Sequence, residues 1–400
     1  MRARDMNMDR SSARASVRPL AGVRVLFVLP SLALGGAERQ AFLLARHLMS
    51  EEGASVRLVG FGESGGVADL CDQFAIPHET FETRHRARDR VGQVIDLLRF
   101  AVVIRRCRAQ ILLPYCMFQN VIGALTCRLG GARLCIWNQR DEGRLRLHPW
   151  AEWLALRAVH CFVSNSTHGA EFLTASLGVP RDRVHVIRNG IQMDRAQFTR
   201  QEWRTRLGLS ESAFAACMLA NLHRYKDHAT LLAAWRLVVD RLRPRAIEPH
   251  LLLAGAFGDQ HKFVSTRVRD LGLDGNVQIL GEVRDVAGLL QAADLGVFSS
   301  IAEGMPNAVL ECMASGLAVV GTDYPGIREA LGEDGAHWLA PPKDAEGLAS
   351  RVVALAVERD LRAQVGDAGR RRVEAAFSAQ RMCERMTERI AAEWAVRQNR

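Results

Sequence analysis

Lysine is almost missing from this chain. Of its 53 basic residues only Lys226, Lys262 and Lys343 are lysines, and the rest are arginines. A chain that uses arginine wherever either cation would serve places a lysine where a compact point charge is wanted. Lys226 is the one of the three that falls in a motif. Long apolar runs are missing too: although 48% of the residues are hydrophobic, none of the runs approaches the ~18 residues of a membrane span. The stretch 23–37 follows an arginine-rich start and imitates a secretory leader. Arg24 interrupts it, however, and it reads better as a first strand and its loop. The nine cysteines are scattered, with no Cys-x-x-Cys and no His/Cys cluster at zinc spacing. That excludes a disulfide scaffold, gives no metal site, and points to a reduced, cytoplasmic chain. Asp-x-Asp, a common way to hold a metal on a diphosphate, does not occur.

What is present sets the scale. A chain of 400 residues is long for one domain and suggests two of roughly 180–190 residues. The net charge of +9 is lopsided: residues 1–200 carry 28 basic and 18 acidic side chains, residues 201–400 carry 25 and 26. The basic half, with Arg84, Arg86, Arg88 and Arg90 close together, suits anionic lipid head groups or phosphorylated acceptors. No nucleic-acid module accompanies it. Peripheral contact with the inner face of a membrane is the expectation this raises.

Residues 1–20 are rich in Arg, Ser and Met without a period, and are expected to be a disordered basic tail. Strands and helices then alternate. Strands are expected at 24–29, 56–59, 111–113, 133–137, 161–164 and 184–187, with a helix that follows the Gly35-Gly36-Ala37-Glu38 loop and runs to about Ser50, and others at 91–108, 121–129 and 150–159. After a polar hinge at 192–208 the pattern resumes, with strands at 213–219, 251–255, 277–280, 295–298 and 318–320. Such alternation means α/β architecture, parallel sheets with helices on both faces. Ligands in such sheets lie at the carboxyl ends of the strands. The bounds expected are 21–200 for a first domain and 201–377 for a second. A final helix, 378–400, is expected to cross back to the first.

The most informative stretch is Glu303-Gly304-Met305-Pro306-Asn307-Ala308-Val309-Leu310-Glu311. It leaves a buried strand and enters a helix. Gly304 permits close backbone approach, and Pro306 suits a first helical turn. Free N–H groups at that turn attract phosphate. Glu311, two turns on, is placed to accept hydrogen bonds from hydroxyls. The stretch reads as a cradle for a phosphorylated, hydroxyl-rich ligand, although acids near a helix start are also common without one.

With Ala314-Ser315-Gly316 after it, this stretch resembles the signature of glycosyltransferase family 4, retaining enzymes of the GT-B fold that use nucleotide sugars. The resemblance extends over most of residues 21–380. It takes in Gly35-Gly36-Ala37-Glu38 after the first strand and the loop Asn221-Leu222-His223-Arg224-Tyr225-Lys226. It implies two Rossmann-like domains facing a cleft and transfer of a hexosyl group from a nucleotide diphosphate sugar to a glycan, lipid-linked or small-molecule acceptor. That sugar nucleotide is a substrate; no cofactor or metal is implied. By the same resemblance Lys226 opposes charge on the diphosphate and Glu303 contacts the sugar or phosphate side. Glu311 binds the ribose, and the backbone of Gly304, Met305, Pro306, Asn307 and Ala308 approaches the donor. Gly35 and Gly36 approach the diphosphate or the acceptor.

Two departures stand out. Asn221 occupies the place of the family's Arg, leaving His223 or Arg224 as the second cation. The loop after Trp137, where relatives carry a sugar-contacting His, reads Asn138-Gln139-Arg140-Asp141-Glu142 instead. These departures motivate one rival reading, a nucleotide-sugar-binding subunit without appreciable turnover. The other is a sugar-nucleotide epimerase of the same fold. It would need acid/base carboxylates and His in the cleft, and it leaves the Glu303–Glu311 pair unexplained.

Overall fold

The computed structural model describes residues 18–84, 89–143 and 145–398. Arg86 and Arg88 lie outside this set, as do residues 1–17 of the expected tail. Leu20 is buried in the first core, so packed chain begins ahead of residue 21.

Two parallel sheets form, one from each half. The first comprises β1 (Arg24–Leu29), β2 (Ser55–Gly60), β3 (His78–Thr80), β4 (Ile111–Pro114), β5 (Leu134–Gln139), β6 (Cys161–Ser164) and β7 (Val184–Val186), in the order β3-β2-β1-β4-β5-β6-β7. The second comprises β8 (Phe214–Leu219), β9 (Pro249–Ala254), β10 (Val277–Gly281), β11 (Leu295–Phe298), β12 (Ala318–Thr322) and β13 (Leu339–Ala340), in the order β10-β9-β8-β11-β12-β13. The central strands are near-continuous apolar runs, as strands buried on both faces must be. β8 and β9 keep register from Phe214 opposite Pro249 to Leu219 opposite Ala254. Two cores clothe the first sheet, one per face, and one large core fills the second domain.

The strand orders fix where ligands can sit. In each sheet the direction of winding reverses once, between β1 and β4 and between β8 and β11. A crevice opens at such a switch point beyond the strands' carboxyl ends. The loops leaving β1, β8 and β11 carry Gly35-Gly36, Lys226 and Glu303 respectively.

The chain crosses between domains at residues 190–191 and returns at 377–379. The two crossings pair with each other: Ile191 N–H donates to Phe377 O at 2.8 Å, and Ala379 N–H to Ile191 O at 3.3 Å. A Cβ on Gly190 would lie 2.5 Å from Ala379 Cα, so only glycine fits there. The crossing thus comes just ahead of the polar 192–208 stretch. Within that stretch, the Arg200–Arg206 helix docks on the second domain through Trp203 and the buried Arg204, whose guanidinium donates to Ala292 O and Ser210 O. The closing helix, Ala379–Gln398, lays Met382, Met386, Ile390 and Trp394 into the first domain's core.

Candidate functional site

Lys226 ends the short turn after β8. The next residue, Asp227, adopts a left-handed backbone (φ 49°), a conformation costly for most residues and tolerated by Asp. Its carboxylate repays this by capping the His228–Leu242 helix, accepting from Thr230 N–H at 3.3 Å and Thr230 Oγ1 at 2.6 Å. The sharp turn holds Lys226 against the β11 loop. Ser299 Oγ donates to Lys226 O at 2.8 Å, and Ile301 N–H donates to Tyr225 O at 2.9 Å. The Lys226 ammonium pairs with Glu303 Oε1. Both side chains are largely buried, 16% and 13% exposed, so this pair is screened less than one at the surface.

His228, next in the chain, is buried and neither ring nitrogen has a hydrogen-bond partner among the described residues. Burial, reinforced by Lys226, pushes its pKa down to about 4. The imidazole is neutral at physiological pH.

Glu311 lies buried in the Asn307–Ala314 helix. Burial raises its pKa, and Arg39 of the first domain pulls it back, with Arg39 Nη1 donating to Glu311 Oε1 at 2.7 Å. Arg39 was not among the residues singled out by sequence. It directly follows the Gly35-Gly36-Ala37-Glu38 motif, but as one arginine among fifty it carries no residue-type signal of its own. Its position one turn into the helix that starts at Gly36 is what aims it across the crevice.

The cradle itself differs in detail from expectation. Pro306 is the residue before the helix, with φ −77° and ψ 106°, rather than part of its first turn. Gly304 does meet backbone closely, but that of the opposite domain: a Cβ there would sit 2.5 Å from Arg140 O and 3.0 Å from Asn165 Oδ1. Asn307 spends its side-chain amide on the interface, donating to Gly36 O at 3.0 Å and accepting from Asn189 Nδ2 at 2.7 Å. Asn189 also donates to Met305 O at 3.1 Å. The Met305 side chain is buried in the second core. Gly35 caps the first helix and Gly36 begins it, so that helix points its N-terminus at the crevice.

Arg140, in the loop where the sugar-contacting His was expected, turns inward. It donates to Asn189 Oδ1 at 3.1 Å and lies over the Tyr115 ring, 4.4 Å from its centroid. Its role is to hold Asn189, and through it the Met305–Asn307 turn. Asn221, in the place of the family's Arg, accepts from Ala256 N–H at 3.0 Å and ties the β8 loop to the β9 loop. Of the two candidate second cations, His223 is occupied by Asp259 at 2.8 Å, whereas Arg224 is exposed. Glu329 makes a further interdomain clamp, accepting from Thr167 N–H and Arg188 Nε, each at 2.7 Å.

Among the described residues one trio has the donor types of a metal site: Cys161, His185 and Glu393, with ligand atoms within 4.8 Å of one another. It sits where the last helix crosses β6 and β7, away from the crevice. Burial drives the Cys161 thiol up to about 12, and Arg389, 3.5 Å from Glu393, already supplies a cation. This trio is therefore a hydrogen-bonded packing contact.

Comparison with known proteins agrees with this geometry. Residues 34–195 match the family model described as Glycosyltransferase Family 4, and residues 213–358 match Glycosyl transferases group 1. The chain is 26% identical over 211 residues to the N-acetyl-alpha-D-glucosaminyl L-malate synthase of Bacillus anthracis, covering 52% of this chain and 54% of that protein. It is 32% identical over 195 residues to TuaC of Bacillus subtilis, named a putative teichuronic acid biosynthesis glycosyltransferase, covering 48% and 46%. These matches span about half the length of each relative. The crystal structure of Anabaena HepE in complex with UDP-glucose superposes with a TM-score of 0.79 at 19% identity, over 92% of this chain and 99% of that one. Two Rossmann-like sheets facing one crevice and two family models dividing the chain between them lead to one assignment: the chain belongs to the family 4, group 1 glycosyltransferases of the GT-B fold.

Proposed function

We propose that this protein transfers a hexosyl group from a nucleotide diphosphate sugar, held by the second domain, to a hydroxyl of a glycan or lipid-linked acceptor that enters from the first. The observation that carries the reading is the juxtaposition of Lys226 with Glu303 on adjoining loops at the second sheet's switch point, with Glu311 two helical turns beyond. Glu311 accepts from the ribose hydroxyls. The N-terminus of its helix and the Lys226 ammonium face the diphosphate, and Glu303 exchanges the ammonium for sugar hydroxyls when the donor binds.

The bond that breaks joins the anomeric carbon to the diphosphate oxygen, and the bond that forms joins the same carbon to the acceptor oxygen. The acceptor's proton passes to the departing phosphate on the same face, so configuration is retained. Charge grows on the diphosphate as the first bond stretches, and a preorganised cation stabilises that state more than the ground state. No metal is required in this scheme. The test is to incubate the protein with nucleotide sugars and candidate acceptors, follow release of nucleoside diphosphate, and read the anomeric configuration of the product by NMR. An inverted product would exclude the same-face path. Release of nucleoside monophosphate would exclude the diphosphate as leaving group.

A further inference from the structure

The first domain carries an apolar surface that the site does not use. The Arg90–Arg106 helix buries Phe100, Ala101 and Ile104 against the sheet, yet Val91, Val94, Leu98 and Val102 stand 72%, 53%, 54% and 65% exposed. Their spacing of three, four and four residues puts them on one stripe, opposite the buried face. On the same side of the sheet lies the Pro149–Ala158 helix, with the Met117–Thr126 helix between the two. It adds Trp150 and Trp153, 58% and 54% exposed. Both outer helices follow strand carboxyl ends. Val91, Val94, Trp150 and Trp153, within two turns of their N-termini, therefore lie toward the rim of the crevice.

The charge around this surface is one-sided. Of the described residues in 81–160, nine arginines are exposed against two acids, Glu82 and Asp89. Asp96, Asp141 and Glu152 are buried. Arg105 and Arg128 are exposed beside the stripe, and Arg157 stacks on Trp153 at 4.0 Å.

We propose that this face docks the enzyme on an anionic lipid bilayer, with the aliphatic stripe and Trp150/Trp153 entering the headgroup region and the arginines meeting lipid phosphates. An apolar face bordered by arginine and tryptophan matches the polarity gradient of that interface. A second copy of the chain fits poorly, since a two-fold contact would set the arginine surplus against itself. A dissolved glycan offers nothing for the aliphatic stripe. Docking here brings the crevice rim to the lipid surface, which deepens the functional reading toward a lipid-linked acceptor.

The test is flotation of the full chain with phosphatidylcholine vesicles and with an equimolar mixture of phosphatidylcholine and phosphatidylglycerol, at low and high salt. Wild type should float with the anionic vesicles and stay behind with neutral ones. The exposed-site variant Val94→Ser/Leu98→Ser/Val102→Ser should lose at least about tenfold in binding. Arg105→Glu/Arg128→Glu should weaken it and flatten its salt dependence. Melting temperature and its rise with nucleoside diphosphate should be unchanged in both variants, which separates this test from that of the donor site. Equal flotation with both vesicle types overturns the proposal. So does undiminished binding of the serine variant, or a wild-type dimer that the serine variant dissociates.

Discussion

Lys226→Ala removes the one cation that touches Glu303 among the described residues, and its consequences can be worked out for catalysis and for stability. In catalysis, loss of one preorganised charge-stabilising group costs about 10²–10³ in kcat, or roughly 2.7–4 kcal/mol. In stability, the substitution strands the Glu303 carboxylate, whose side chain is 13% exposed. Breaking a fully buried pair costs about 3–5 kcal/mol and an exposed one ~0–1 kcal/mol. A pair at the crevice lip falls between, at about 1–2 kcal/mol, a drop in melting temperature of roughly 2–8 °C. Glu303→Gln is the control, because it removes the charge partner and leaves the ammonium. If Lys226 acts on the diphosphate, Lys226→Ala should lower kcat far more than Glu303→Gln lowers it. Lys226→Arg should restore stability more than turnover, since a planar fork does not reproduce a point charge in so tight a turn. The assay is steady-state kinetics with thermal melts on all three variants. A folded Lys226→Ala enzyme with kcat within about threefold of wild type would refute the reasoning and turn attention to the exposed Arg224.

Arg39→Ala should make donor binding more sensitive to acid. Burial and Asp194 raise the Glu311 pKa while Arg39 holds it down, so without Arg39 the carboxylate protonates at higher pH, and donor affinity should fall between pH 7 and 5 more steeply than in wild type. Parallel pH profiles from calorimetry would contradict this. Turnover should persist in EDTA, because the sequence has no Asp-x-Asp pair; loss in EDTA with recovery on adding Mg²⁺ or Mn²⁺ would contradict it. The buried His228 should make the fold acid-sensitive. Its pKa, lowered from 6.5 to about 4, lets the unfolded chain bind the proton first. Stability present above pH 6.5 is therefore lost as pH falls toward 4, by up to about 3 kcal/mol from this residue. His228→Gln should flatten that slope in urea melts across pH 4–7.

The regular parts of the fold were legible because buried parallel strands write themselves as apolar runs. Arg24–Leu29, Phe214–Leu219 and Leu295–Phe298 are such runs, and each ends at a loop that matters. Strands of two or three residues at sheet edges, His78–Thr80 and Leu339–Ala340, are too short to show a period. The Arg90–Arg106 helix was found, but its outer stripe was not, because apolar residues on both faces cancel the period that would distinguish them. In the site, the paired acids and Lys226 were readable from motif spacing. The contacts that Arg39, Asn189 and Glu329 make were not, since their partners lie 272, 118 and 162 residues away. Such contacts exist only once the two domains face each other. Gly304 and Asn307 show the same limit from the other side: their residue types were informative, but the surface they approach belongs to the first domain.

The central claim is that the Glu303–Glu311 segment holds a nucleoside diphosphate through its ribose. The most direct measurement is a thermal-shift panel of nucleoside diphosphates and nucleotide sugars on wild type and Glu311→Ala. A ligand bound only by the folded state raises the melting temperature. At least one nucleotide series should stabilise wild type. Glu311→Ala should bind that series more weakly by about 1.5–3 kcal/mol, the worth of hydrogen bonds to a carboxylate. No shift with any nucleotide, or equal shifts in the two proteins, would contradict the account.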